Sequence, residues 1–279
     1  MGDNLQAFGN WSRSLKEQAE IMPALFIGHG SPMNAIENNS FSAEWARVAK
    51  EMPVPVAVLV VSAHWLTRGT FITAMSHPKT IHDFGGFPDE LFAVQYPAPG
   101  YPELAVETAA MVQYTKVGMD HEWGLDHGAW SVVKQMYPDA TIPVLQLSID
   151  FHQPARFHYE LAAELRSLRK KGVLILGSGN MVHNLRMIAW DKLDQPGYGY
   201  DWAIEMHELF NQKILNGDHE ALIQYEKLSP AHRLAIPTPD HYYPLLYTLG
   251  VQEKKDVPVL FNNQLLGGSL NMTSVLLTS

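Results

Sequence analysis

The chain has 279 residues, 46% apolar and 18% charged, which is a globular composition with ample material for one large core. Its formal charge of −9 argues against a nucleic-acid binder, and the absence of cysteine excludes disulfides, thiolate metal sites and cysteine nucleophiles. No apolar run approaches the ~20 residues that span a bilayer, and residues 1–22 lack the apolar core of a signal peptide, so a soluble, cytoplasmic protein is expected.

The first strong signal is Ala24-Leu25-Phe26-Ile27-Gly28-His29-Gly30-Ser31-Pro32, an apolar run that stops at a glycine, presents a histidine and breaks into a turn. Such short runs bounded by Gly and Pro read as buried strands. The segment Phe41–Met52 has helical spacing with Ser42 as N-cap. The strand–histidine pattern returns at Ala57-Val58-Leu59-Val60-Val61-Ser62-Ala63-His64-Trp65, and a neighbouring strand is expected over Thr70–Met75. His77–Gly100 is a long stretch without period whose aromatic and glycine content suits a pocket wall. Pro102–Lys116 reads as a helix, and Trp123–Trp130 as a loop entering a short helix that ends near Tyr137.

Further on, Ile142–Ile149 reads as a strand and Pro154–Lys171 as a helix closed by Gly172. Val173–Gly177 is a third buried strand, followed by a Gly177-Ser178-Gly179-Asn180 turn that leads to His183. Helices are expected over Tyr200–Asn216, over His219–Lys227, and from the Pro237–Pro244 segment to Gly250. Val257–Phe261 and Ser269–Leu277 are late strands at a sheet edge or in a hairpin. Strands alternating with helices, without repeats or linkers, define an α/β single domain with a central mixed, mostly parallel sheet flanked by helices.

The chemistry lies in the 13 histidines. His77, His152, His158, His207, His219 and His232 read as surface or hydrogen-bonded core residues. His82 and His121 fall in candidate pocket loops. His29 and His64 each end a buried strand beside small residues, where α/β sheets bind ligands; they suit metal ligation, or merely cap the strand ends. His183 suits a ligand or a proton carrier. His127, in Asp126-His127-Gly128, suits proton transfer near neutral pH or a plain turn. His241 enters behind two prolines with either a site role or none. The phosphate-loop ending and the Gly-x-Ser-x-Gly, Rossmann and His-Glu-x-x-His motifs are all absent.

The segments Pro23–Asn34, Ser62-Ala63-His64-Trp65, Thr80-Ile81-His82-Asp83-Phe84-Gly85-Gly86-Phe87-Pro88, Tyr96-Pro97-Ala98-Pro99-Gly100, Asp126-His127-Gly128, Val182-His183-Asn184-Leu185 and Pro237–Tyr242 together resemble the 4,5-DOPA extradiol branch of the class III ring-cleavage dioxygenases. The resemblance covers residues 22–279 as a catalytic domain and leaves 1–21 as an N-terminal extension. It implies a non-haem Fe(II) enzyme that cleaves a catechol such as L-DOPA with O₂; the apolar content permits a monomer or a small homo-oligomer. His29, His64, His183 and His241 then form the metal site, His127 and His183 move protons, and His82, Phe84 and Asp126 contact substrate. Relatives of the protocatechuate type use two histidines and a glutamate, whereas His241 stands here in the late position. An all-nitrogen set also favours Zn²⁺ in purified protein. A zinc hydrolase with Asp83 or Asp126 as base, and a catalytically idle metal-binding protein, are the rival readings.

Overall fold

A computed structural model describes Gln18 and residues 20–279; the expected extension over 1–21 lies almost entirely outside the described residues. In chain order the strands are β1 (Ala24–Gly28), β2 (Ala57–Ser62), β3 (Leu66–Thr67), β4 (Thr70–Thr73), β5 (Val117–Asp120), β6 (Val144–Gln146) and β7 (Ile149–Asp150). They continue with β8 (Val173–Gly179), β9 (Val257–Phe261), β10 (Leu265–Leu266), β11 (Leu270–Asn271) and β12 (Ser274–Thr278). The central sheet has the order β6-β2-β8-β1-β12-β9. Its first four strands are parallel, and β12 and β9 close it as an antiparallel edge. This is the mixed, mostly parallel sheet expected.

Every residue of β1, β2 and β8 is buried, because both faces of the sheet are covered. Alternate residues serve opposite layers. Ala24, Phe26, Leu59 and Ile175 share one core with the helices Ala155–Leu165, Asp201–Leu215 and Tyr243–Gly250. Leu25, Ile27, Val60 and Leu176 share the other with the helices Ser40–Glu51 and His127–Met136. No helix among the described residues is long and apolar enough to cross a membrane.

Several elements depart from the sequence expectation for local physical reasons. The helix Ser40–Glu51 is capped by Asn39, whose side chain accepts from the Phe41 and Ser42 amides, and Ser42 returns the contact to the Asn39 amide. This is a capping box, with Ser42 inside the helix. The strand at Thr70 ends at Thr73 and pairs with β5 in a separate ribbon. Ile142–Ile149 is divided into β6 and β7, and the helix ending near Lys171 breaks at Arg166. Gly177-Ser178-Gly179 is strand, not turn. Its glycines serve packing: a Cβ at Gly177 would fall 2.3 Å from the Pro244 carbonyl oxygen.

Arg169, in the basic run Arg169-Lys170-Lys171, is fully buried and forms a two-point pair with Asp256 (2.5 and 3.1 Å). It also donates to the Met22 and Val251 carbonyls, which ties the start of β1 to the segment before β9. Removing one partner of a buried ion pair strands the other charge. Asp256→Ala is expected to cost about 3–5 kcal/mol of stability in urea unfolding; a loss below about 1 kcal/mol would contradict this role.

Candidate metal centre

The site forms where parallel strands end together. β8 lies between β1 and β2, with Gly28 in register with Gly179 and Ser62 with Ser178. The ladders continue one step further, since the His29 amide donates to Gly179 O (3.1 Å) and the Ala63 amide to Ser178 O (3.0 Å). His29 and His64 therefore leave their strands at one height on either side of β8. His241 arrives in the turn before the helix Tyr243–Gly250, and the Asn180 amide anchors that turn by donating to His241 O (2.9 Å). A Cβ on Gly179 would fall 2.2 Å from the same carbonyl oxygen, so only glycine lets the turn approach.

The ring nitrogens of His29, His64 and His241 lie within 4.8 Å of one another. Nε2 of His29 and Nε2 of His64 are 3.2 Å apart. On the far side of the rings, each Nδ1 faces an oxygen. Ser178 Oγ is 3.0 Å from Nδ1 of His29 and spends its own proton on Gly128 O (2.6 Å). It therefore accepts from Nδ1–H, which leaves Nε2 of His29 with the lone pair. Asp240 Oδ2 is 2.5 Å from Nδ1 of His241, and Asp83 Oδ2 is 3.5 Å from Nδ1 of His64. Burial, followed by the neighbouring imidazoles, holds His29 and His64 well below the usual histidine range. Neutral rings with open, converging nitrogens are the form that binds a metal.

His183 joins the cluster differently. Its ring lies flat on His241, with centroids 3.5 Å apart and planes 5° apart, and it is not one of the three converging donors. Burial and His241 push it down to about 3. His127 is the first residue of its helix rather than a loop residue, and its ring is 3.8 Å from that of His64. Its Nδ1 is 3.0 Å from Asp83 Oδ1, which also accepts the His127 amide at 2.9 Å. Burial raises the Asp83 carboxyl, but its contacts with His127 outweigh that and hold it below the usual range.

The expected substrate contacts divide. Phe84 sets its ring edge-on against His127, with centroids 5.6 Å apart, so the loop wall reaches the centre. His82 packs behind it against Phe84, Phe92 and Trp130, with Nε2 2.9 Å from Val94 O. Asp126 is fully buried as the cap of the His127–Met136 helix. It accepts from Ser62 Oγ and Gln146 Nε2, both at 2.6 Å, so its carboxylate is committed to the framework rather than open to substrate. Burial, then Asp83, raises its pKa. His121 is exposed, while His158 is a core histidine 3.0 Å from the Tyr247 hydroxyl. Sequence reasoning missed Ser178 and Asp240. The Asp240-His241 adjacency repeats the Asp126-His127 pattern and was the available signal.

Fold and site together define an α/β protein with three histidines that could hold a metal ion at the carboxyl edge of its sheet. Residues 23–271 match the family described as the catalytic LigB subunit of aromatic ring-opening dioxygenase. The chain is 46% identical to the 4,5-DOPA dioxygenase extradiol of Escherichia coli K12 over 91% of its own length and 94% of the relative's. It is 35% identical to the protein of that name from Beta vulgaris, over 93% of this chain and 97% of the other. A crystal structure of an uncharacterized Escherichia coli K12 protein superposes with a TM-score of 0.78 at 39% identity, covering 91% of this chain and 99% of that one. The chain belongs to the aromatic ring-opening dioxygenase family, whose members are oxidoreductases that use a non-haem metal.

Oxygens that orient metal-ligating imidazoles contribute strongly to affinity. Asp240→Ala is expected to weaken Zn²⁺ binding about 10–100-fold in chelator competition, and His29→Ala to abolish stoichiometric binding. Unchanged affinity in both variants would remove these residues from the site.

Proposed function

We propose that this chain is an extradiol dioxygenase that cleaves the ring of a catechol such as L-DOPA between carbons 4 and 5, with residues 22–279 as the catalytic unit. The observation that carries the reading is the convergence of His29, His64 and His241, each with an oxygen behind its Nδ1. These three residues would hold the metal. Ferrous iron there supplies the redox chemistry that joins a diol to O₂, whereas Zn²⁺, which the all-nitrogen donors also suit, has none.

The surrounding residues account for the rest of the reaction. A catechol must lose its phenolic protons to chelate a cation, and a neutral imidazole beside the site can take one. His183 suits that role, because its ring lies directly on a ligand ring without being one of the three converging donors. His127, on the other side of His64, is the second proton carrier. Phe84, packed against His127 and Phe92, would supply an aromatic wall beside the ring of the substrate.

The test is anaerobic reconstitution with Fe(II), then L-DOPA and air. Oxygen uptake in step with a new yellow chromophore is expected with iron and not with zinc. Full iron loading without oxygen uptake, across several catechols, would overturn the reading. Phe84→Ala removes an aromatic contact worth about 0.5–1.5 kcal/mol. It is expected to raise KM about 2–10-fold and leave kcat nearly unchanged; a selective fall in kcat would contradict a wall role.

A further inference from the structure

Asp83 has so far appeared only as the oxygen behind Nδ1 of His64, yet its carboxylate stands between two histidines of the site. Oδ2 is 3.5 Å from Nδ1 of His64, and Oδ1 is 3.0 Å from Nδ1 of His127. Oδ1 also accepts the His127 backbone N–H at 2.9 Å, which seats the carboxylate on the first turn of the His127–Met136 helix. Nδ1 of His127 is buried, and Asp83 Oδ1 is the acceptor that stands against it at 3.0 Å, short of full hydrogen-bond geometry. The Asp83 side chain is only about one-fifth exposed, so its attraction for an N–H is weakly screened.

We infer that Asp83 is a positioning residue that sets the tautomers of His64 and His127 together. A neutral imidazole has one N–H and one lone pair, and the partner of one nitrogen decides which is which. An ionised carboxylate only accepts, so it holds the proton of both rings on Nδ1. That leaves the lone pair of His64 on Nε2, which faces Nε2 of His29 across the metal position. It leaves the lone pair of His127 on Nε2 as well, the state required of a proton acceptor. His29 has Ser178 and His241 has Asp240 for the same purpose, while His64 shares its carboxylate with His127. One side chain on the loop that also carries Phe84 thus couples a ligand to a proton carrier. The inference rests on the proposed metal site and extends it to a residue that touches neither metal nor substrate.

The test uses the full chain without metal and histidine-selective ¹⁵N NMR, followed by Zn²⁺ competition. Wild type is expected to show His64 and His127 as Nδ1–H tautomers. Asp83→Asn keeps the shape but offers an N–H where an acceptor is needed. It is expected to retain the wild-type circular dichroism, to move His64, which faces the new N–H, toward the Nε2–H form while the amide oxygen stays on the His127 backbone N–H and Nδ1, and to bind Zn²⁺ about 10–100-fold more weakly. Asp83→Glu, which restores an acceptor-only carboxylate, should bind with intermediate affinity. Wild-type tautomers and affinity in Asp83→Asn would overturn the inference. Two zinc ions per wild-type chain, the second lost in Asp83→Asn, would overturn it too, by making Asp83 a ligand of a second ion with His64 and His127. Oxygen uptake by the wild type is scored separately. Its failure would remove the proposed reaction and leave the tautomer result intact, and the reverse also holds.

Discussion

The parallel register of β1, β8 and β2 is the constraint on which the rest of the site depends. Neighbouring strands lie about 4.8 Å apart, so residues that leave the two outer strands at one height face each other across the middle one. That is the position of His29 and His64, whose Nε2 atoms approach to 3.2 Å. The middle strand must end in small residues for this to work, and β8 ends in Ser178 and Gly179. Ser178 tethers His29 from below, and Gly179 admits the carbonyl of His241. A larger residue at Gly177 or Gly179 would push the Tyr243–Gly250 helix from the sheet and carry His241 out of reach.

Electrostatics then decides what the cluster can be. Burial favours the neutral form of His29, His64 and His183 where they pack into this cluster. Neutral rings with their protons directed outward leave a concentration of lone pairs at the centre, which is a poor arrangement until a cation fills it. Two carboxylates behind those rings, Asp83 and Asp240, would offset the charge of a divalent ion held by the three histidines. The fold therefore separates two functions, with nitrogen donors facing the ion and oxygen acceptors standing one layer back.

Much of this was legible in the chain itself. The three buried strands stood out because both of their faces are covered, so nothing polar interrupts β1, β2 or the start of β8. His29 and His64 followed, since each comes just after the last residues of such a run. The errors arose where a residue's local habit is overruled from a distance. Gly177 and Gly179 suggested a turn, but their reason is the backbone of a helix and of the turn before it, more than sixty residues later, a contact invisible in local sequence. Asp126 suggested a pocket residue because it precedes His127, yet it caps a helix, while the same adjacency in Asp240-His241 carries the orienting role. Whether His183 or His241 presents its nitrogen to the ion depends on ring orientation, and sequence spacing holds no information about that.

The most direct test of the account is X-ray absorption at the metal edge, on the zinc-loaded wild type and on His183→Ala. Three imidazole nitrogens at about 2.0–2.1 Å are predicted in both proteins, because His29, His64 and His241 hold the ion and His183 only stacks on one of them. Loss of an imidazole from the shell of His183→Ala, or of the ion itself, would contradict the assignment and return His183 to the ligand set.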